Sequence, residues 1–245
     1  MAIRILITND DGIDSPSLIP LVKWAMKLGD VTVCAPSVQQ SGKSHGIEFH
    51  KPIKIKPYDL LAGIKCYSVD STPADCVRFG TIFLKQNYDL VISGINKGLN
   101  MGEDIVYSGT VGAIFEAETR GQKGFAISTD FDSFDLAVKN LDLIYNFISD
   151  NNLFDYSNIY NVNVPSKEIK GIRITRQGNA YFTDDFIYLG NDMYQESGYC
   201  IHDNKHDLDV DTDATIDGYI TVTPITHKRT NIYAYESLVG INTKV

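Results

Sequence analysis

The stretch IRILITNDDGIDSP, residues 3–16, places a mostly apolar run directly before two adjacent aspartates and a glycine. Residues 3–8 have the length and composition of a strand buried in a parallel sheet. The segment after the NDDG turn predicts a helix that begins near Pro16 and ends at Gly29. A second apolar run at residues 31–36 completes a strand–helix–strand unit.

The rest of the chain continues this alternation. Further strands are predicted at residues 89–94, 124–129 and 159–165, and helices at 71–86, 110–121 and about 133–149. Strands that alternate with helices predict an α/β fold with a doubly wound parallel sheet and helices on both faces.

The sequence changes character beyond about residue 170. Strand-like pieces at 172–177, 180–190 and 218–225 are separated by acidic loops, and a short helix is predicted at 233–240. We therefore expect a catalytic core at residues 1–177 and a β-rich C-terminal extension at 178–245. Tyrosines are concentrated in this extension, which indicates a subunit interface.

Composition limits the class of protein. A chain of 245 residues suffices for one α/β domain with an appendage, and a net charge of −9 argues against a nucleic-acid polymer or an anionic membrane as partner. The N-terminal apolar run is too short for a signal peptide or a membrane span, so we expect a cytoplasmic protein. The four cysteines form no C-x-x-C pair and predict no disulfide framework.

Polar residues follow three of the predicted strands, at residues 9–12, 35–45 and 93–110. In a parallel sheet these loops emerge at one edge and can converge on one site. They supply two carboxylates and two neutral oxygen donors, which suit Mg²⁺ or Mn²⁺ better than zinc. These residues are Asp10, Asp11, Ser41 and Asn96. The alternative is that NDDG is only a turn.

The loop at 93–110 is rich in glycine and ends in YSGT, where a helix begins. Backbone N–H groups near Ser108, Gly109 and Thr110 would face an anion there, with the positive end of the helix dipole behind them. The alternative is that Ser108 or Thr110 is only an N-cap.

Taken together, these motifs resemble the SurE family, the survival proteins that act as metal-dependent nucleotidases. The matching segments are ILITNDDGI (5–13), VCAPSVQQSG (33–42), TPADCV (72–77), DLVISGINKGLNMGEDIVYSGTVGAIFEA (89–117) and GYITVTPI (218–225). The resemblance implies a Rossmann-like, mostly parallel core whose C-terminal extension is exchanged between subunits of a dimer or tetramer. It also implies hydrolysis of nucleoside 5′- and 3′-monophosphates by water that is activated by one divalent metal ion per subunit.

The resemblance also implies roles for individual residues. The metal ligands fall on Asp10, Asp11, Ser41 and Asn96, of which Asp10, Asp11 and Asn96 are expected to be catalytic. The phosphate or substrate contacts fall on Asn9, Asn100, Ser108, Gly109 and Thr110. Two positions depart from the family pattern, because Ser17 and Ser71 stand where relatives often have glycine.

Three alternatives remain open at this point. An aspartate after the first strand is also where aspartyl-phosphate phosphatases have their nucleophile, although their D-x-D-x-T pattern is absent. A non-catalytic regulator that binds metal and nucleotide would retain the same loops. Residues 202–213 could hold a second metal, but Ala214 and Ile220 break the EF-hand spacing and favour a solvated acidic loop.

Overall fold

The structure, a computed structural model, describes residues 2–131 and 134–241. The strands are β1 (Ile3–Thr8), β2 (Gly29–Pro36), β3 (Ile55–Pro57), β4 (Lys65–Val69), β5 (Leu90–Lys97), β6 (Gly124–Thr129), β7 (Ile159–Val164), β8 (Gly171–Ile174), β9 (Asp185–Gly190), β10 (Met193–Ser197) and β11 (Tyr219–Ile225). The α-helices are α1 (Leu18–Ala25), α2 (Pro73–Arg78), α3 (Gly109–Thr119), α4 (Phe134–Lys139), α5 (Leu141–Asp150), α6 (Asp211–Ile216) and α7 (Ile232–Leu238). A π-helical segment at Phe79–Phe83 and 3₁₀ helices at Gly102–Tyr107, Leu153–Asp155 and Val239–Ile241 complete the described elements.

The central sheet has nine strands in the order β3-β4-β2-β1-β5-β6-β7-β11-β8. The strands from β4 to β7 in this order are parallel, while β3 and β11 run antiparallel to their neighbours β4 and β7. The chain turns from β1 to β2 on one side and later adds β5 on the other side. This arrangement confirms the predicted doubly wound α/β fold and places its topological switch point between β1 and β5.

The parallel strands are buried on both faces. In β1, Ile5 and Ile7 belong to one apolar cluster and Leu6 to the other. The first cluster packs under α1, α4 and α5, and the second under α2 and α3. This two-sided burial explains why the strands read as apolar runs rather than as alternating patterns.

Helix α1 begins two residues later than the sequence predicts. The Ser15 and Ser17 hydroxyls lie 3.0 Å apart, and Ser17 Oγ donates to the carbonyl of Ile95 at 2.8 Å, so neither serine caps the helix. Pro20 lies in the first turn, where its missing N–H costs no intrahelical hydrogen bond.

The helix predicted at 133–149 consists of α4 and α5, and residue 133, its expected start, lies outside the described residues. Asn140 separates the two helices. Its Nδ2 donates to the Leu136 carbonyl at 2.8 Å, the group that its backbone N–H would bond in a continuous helix. The backbone N–H of Asn140 bonds the Ala137 carbonyl instead, at 3.1 Å.

The sheet extends into the segment that the sequence assigns to the C-terminal extension. Strand β11 lies between β7 and β8, because Ile220 and Val222 pack into the apolar cluster under α4 and α5. Outside the sheet, residues 178–241 include the hairpin of β9 and β10, the short helix α6 and the tail helix α7. The hairpin turn at Asn191 and Asp192 has positive φ at both residues, as a tight two-residue hairpin turn requires. None of the helices in the described ranges is both long and apolar enough to cross a membrane.

The β2–β3 loop, residues 37–54, is held against α2 and α3. The N–H of Ser44 donates to the Tyr107 carbonyl at 3.0 Å, and the hydroxyl of Thr72 donates to the Gly46 carbonyl at 2.7 Å. Gly112 of α3 permits this close packing, since a Cβ at Gly112 would lie 2.1 Å from the carbonyl oxygen of Ser44. The loop that carries Ser41 therefore packs against α3 at a position that has no side chain, Gly112.

We expect Gly112→Ala to lower the free energy of unfolding by about 1–3 kcal/mol, the range for overpacking a filled contact. In an ordinary helix interior the same change stabilises by up to about 1 kcal/mol, so the sign of the effect tests the contact. Urea unfolding of the variant measures it. Gly240→Ala is the matched control, because a Cβ at that position meets nothing within 4 Å. An unchanged or raised urea midpoint for Gly112→Ala would contradict the described seating of the loop.

Candidate metal and phosphate site

The polar loops that follow β1, β2 and β5 meet at the switch point of the sheet. Gly109, the first residue of α3, shows how closely they approach. A Cβ on Gly109 would lie 3.1 Å from Asp10 Cβ and 3.1 Å from the carbonyl oxygen of Gln40. The backbone N–H of Gln40 also donates to the Asp10 carbonyl at 2.7 Å. The structure thus brings together the three loops that the sequence predicts to converge.

Asn9 shapes the turn that presents the two aspartates. Its Nδ2 donates to the Gly12 carbonyl at 2.8 Å, and its Oδ1 accepts the Gly12 N–H at 3.2 Å. The side chain is fully buried. Asn9 therefore closes the turn around Asp10 and Asp11, and both ends of its amide are used within that turn.

Asp10 is buried and faces the N-terminus of α3. Its Oδ1 accepts a hydrogen bond from the Thr110 hydroxyl, and the Thr110 N–H also stabilises the carboxylate. Burial, with a smaller contribution from the charge of Asp11, raises the pKa of Asp10 to about 6 despite these hydrogen bonds. A cation at this place would favour the ionised form.

Asp11 is half-buried beside Asp10. Its Oδ2 accepts the backbone N–H of Lys97, the last residue of β5, at 3.0 Å. Burial raises the pKa of Asp11, while the Lys97 N–H and the Lys97 charge lower it. The carboxylate therefore links the turn after β1 to the end of β5.

Asn96 and Ser41 are the candidate neutral oxygen ligands. Asn96 is buried, and its Nδ2 donates to the Gly98 carbonyl at 2.7 Å, which leaves Oδ1 as its acceptor group. The hydroxyl of Ser17 donates to the backbone carbonyl of Ile95, the residue before Asn96. Ser41 is exposed, accepts a hydrogen bond from Gln39 Nε2 at 3.0 Å, and directly follows the residue that is tethered to Asp10.

This donor set fits a hard divalent cation. It combines two carboxylates with an amide oxygen and a hydroxyl, the oxygen ligands that Mg²⁺ and Mn²⁺ prefer. Within residues 2–131 and 134–241, no group of three or more His, Cys, Asp or Glu side chains is arranged to hold a metal ion.

The SGT residues at the start of α3 have different roles. Ser108 is the N-cap, because its Oγ accepts the N–H of Val111 at 3.1 Å. Gly109 provides the close approach described above, and the Thr110 hydroxyl is bonded to Asp10. The first N–H groups of an α-helix have no acceptor within the helix, so the positive end of α3 faces the two aspartates and any anion beside them.

Asn100 is clamped by side chains that sequence reasoning missed. Its N–H donates to Asn163 Oδ1 at 2.9 Å, and its carbonyl accepts from Asn161 Nδ2 and Asn163 Nδ2, both at 2.7 Å. Its own Nδ2 donates to Ser128 Oγ at 2.8 Å, which leaves its Oδ1 as an acceptor. The available signal was the pair of asparagines in IYNVNVP, residues 159–165, because asparagine is unusual in a buried strand.

A buried glutamate also braces α3, about two helical turns beyond Gly109. Glu116 contacts His45 Nε2 at 2.9 Å, Arg78 at 3.2 Å and Arg120 at 2.7 Å. Burial pushes the pKa of Glu116 upward, but the hydrogen bonds from His45 and Arg120 and the charges of Arg120 and Arg78 outweigh it and bring the pKa to about 2. His45 is therefore a link between the β2–β3 loop and α3.

Ser71 and two aspartates of the acidic segment 202–213 have structural roles. The hydroxyl of Ser71 donates to Asp75 Oδ2 at 2.5 Å, at the start of α2. Asp211 and Asp213 are buried, in contrast to the predicted solvated loop. Asp211 accepts the N–H of Gly178 at 2.8 Å, and such backbone donors compensate its burial.

Comparisons with known proteins identify the family of this chain. The family model described as survival protein SurE matches residues 5–184. The chain is 39% identical to the 5'-nucleotidase SurE of Clostridium beijerinckii, over 91% of this chain and 92% of the relative. It is 36% identical to the 5'-nucleotidase SurE of Natranaerobius thermophilus, over 96% of this chain and 97% of the relative.

A solved structure gives the same result. The crystal structure of the SurE protein from Aquifex aeolicus superposes with a TM-score of 0.81 at 32% identity, and the match covers 97% of this chain and 99% of that chain. The family model, the curated relatives and the solved structure therefore agree, and the chain belongs to the SurE family.

Proposed function

We propose that this protein is a metal-dependent nucleotidase that hydrolyses nucleoside 5′-monophosphates, and also 3′-monophosphates, to nucleoside and phosphate. The observation that carries the proposal is the pair Asp10 and Asp11, presented on one turn opposite the N-terminus of α3. The names of the relatives describe enzymes of this class, which favours catalysis over the regulator alternative.

We propose that Asp10, Asp11, Asn96 and Ser41 hold one Mg²⁺ or Mn²⁺ ion in each subunit. When bound, such an ion offsets negative charge on phosphoryl oxygens and lowers the pKa of water. The donor chemistry supports this assignment, because Asn96 directs its donor to Gly98 and retains its acceptor. The burial that raises the pKa of Asp10 also points to a positive partner.

The remaining groups bind and orient the substrate in this proposal. The N–H groups at Gly109 and the dipole of α3 attract the phosphate, and Ser108 stabilises the start of that helix. Asn100 offers Oδ1 from a clamped backbone, and Asn9 maintains the turn. Thr110 orients Asp10, while Asp11, the more exposed carboxylate, accepts the proton of the attacking water.

We also propose that the β9–β10 hairpin associates with a second copy of the chain in a dimer or tetramer. Within the described residues, β9 and β10 pair only with each other, as a two-stranded sheet, and such sheets are marginally stable alone in water. Large apolar side chains along it are exposed, including Phe186, Ile187, Tyr188, Leu189, Met193 and Tyr194.

A cytoplasmic location fits both nucleotide substrates and the free thiols of Cys34, Cys66, Cys76 and Cys200.

We expect Asp10→Asn and Asp11→Asn each to lower kcat for a nucleoside monophosphate by at least about a hundredfold, because both carboxylates are metal ligands. Phosphate release by chelator-treated protein with Mg²⁺ or Mn²⁺ added back measures the effect. Asp30→Asn is the matched control, since Asp30 is exposed at the amino end of β2. Turnover that ignores both metal and mutation would refute the proposal, and an acid-stable phosphoryl group on Asp10 or Asp11 would establish the covalent route.

We expect Asp10→Asn to stabilise the metal-free protein at neutral and alkaline pH. The folded pKa of about 6 lies above the ordinary value of 3.8, so ionisation of Asp10 destabilises the fold increasingly between these values. The advantage of asparagine is therefore absent below about pH 4 and reaches up to about 3 kcal/mol above pH 6. Urea unfolding with chelator at several pH values tests this, and a pH-independent difference would contradict it. Added Mn²⁺ should stabilise the wild type and leave Asp10→Asn nearly unchanged.

We expect replacement of residues 185–197 by a short glycine–serine linker to yield a monomer, because this removes the exposed apolar hairpin while leaving the central sheet intact. Light scattering after size-exclusion chromatography measures the mass of both forms. Tyr156→Ala, which removes an exposed aromatic ring outside the hairpin, should keep the wild-type mass. A wild-type monomer, or an unchanged oligomer without the hairpin, would refute this role.

A further inference from the structure

A pocket opens beside the candidate site, along the loop that carries Asn96 and Asn100. Its volume is about 260 Å³, close to the lower end of the range for small-molecule sites. Its apolar lining comes from Leu99, Met101, Phe131, Tyr181 and Phe182. None of these residues has a role in the site described above.

The pocket lies next to one of the candidate metal ligands, Asn96. Gly98 lines the pocket, and its carbonyl accepts the side-chain N–H of Asn96. Only Lys97 lies between Asn96 and Gly98 in the chain, so the pocket begins within about 7 Å of that ligand. The ring of Phe131 packs on Gly98, 3.6 Å from the position that a Cβ would occupy.

Aromatic rings are the main feature of the pocket. The Phe131 and Phe182 side chains are 61% and 50% exposed, so their rings are available to a ligand. Tyr181 packs edge-on against Phe182 with ring centroids 4.9 Å apart, and it stacks on His202 at 5.3 Å. Planar nucleobases stack on such rings.

Two carboxylates determine which part of a nucleotide fits. Asp104 and Asp130 both line the pocket, and their charge disfavours a phosphate group there. Asp104 Oδ2 also accepts the N–H groups of Tyr181 and Phe182, at 3.3 and 3.2 Å, and so holds the aromatic wall in place. Carboxylate oxygens accept hydrogen bonds from ribose hydroxyls and from the amino groups of bases.

We propose that this pocket binds the nucleoside part of the substrate, with the base stacked on Phe131 and the phosphate directed toward Asp10 and Asp11. The proposal rests on the nucleotidase function and adds a residue that discriminates nucleotides from other phosphate monoesters. Phe131 reaches the pocket from the end of β6, and Tyr181 and Phe182 from the segment before the hairpin.

The test compares AMP with ribose 5-phosphate, which has the same phosphate ester but no base. In Phe131→Ala we expect the ratio of kcat/KM for AMP to kcat/KM for ribose 5-phosphate to fall about tenfold, the effect of losing one base–aromatic stack. Phe131→Tyr retains the ring and should restore the ratio. Tyr156→Ala removes an aromatic ring that is 85% exposed before β7, and it should leave the ratio unchanged.

Two results would overturn the pocket assignment: an unchanged ratio in Phe131→Ala, or a parallel fall for both substrates. Adenosine binding measured by titration calorimetry separates this outcome from failure of the proposed function. If the wild type hydrolyses neither substrate, the nucleotidase proposal fails, and about tenfold weaker adenosine binding by Phe131→Ala would still support the pocket. Equal binding by both proteins, or no binding by either, would refute it.

Discussion

The hydrogen bond from Thr110 to Asp10 joins the two parts of the chain on which the site depends. Asp10 follows the central strand β1, and Thr110 lies in the first turn of α3, which packs across the sheet. The same contact aligns the positive end of α3 with two neighbouring carboxylates, one of them buried. Neutral donors from Thr110 and Lys97 offset part of the cost of burying this charge, and a bound cation would offset the remainder.

The sequence predicts those features that local pattern determines. The sequence predicts five of the six parallel strands, and the positions of Asp10, Asp11 and Asn96 follow from where two of these runs end. Features set by distant contacts could not be predicted. Strand β11 enters the sheet through pairing with β7, and the short strands β3 and β4 were missed because their burial depends on the edge of the sheet.

Three asparagines illustrate why residue type alone does not give a role. Asn9 uses both ends of its amide inside one turn, whereas Asn96 and Asn100 direct their donors to Gly98 and Ser128 and retain an acceptor. An aspartate at position 96 or 100 would lose the donor that orients the side chain. The sequence shows only that the three residues are asparagines near strand ends. Their hydrogen-bond partners show that Asn9 braces its turn, whereas Asn96 and Asn100 each retain an acceptor.

The pocket beside Asn96 shares residues with the base of the hairpin. The backbone carbonyl of Tyr181 accepts the N–H of Ile201 at 3.0 Å, and the N–H of Thr183 donates to the Tyr199 carbonyl at 3.0 Å. The aromatic wall of the pocket is therefore also the base of the hairpin. Asp104 attaches this base to the 3₁₀ helix that precedes α3. Backbone hydrogen bonds therefore link the hairpin directly to the wall of the pocket. On the proposed roles of the hairpin and the pocket, self-association and selection of the nucleoside depend on the same short segment.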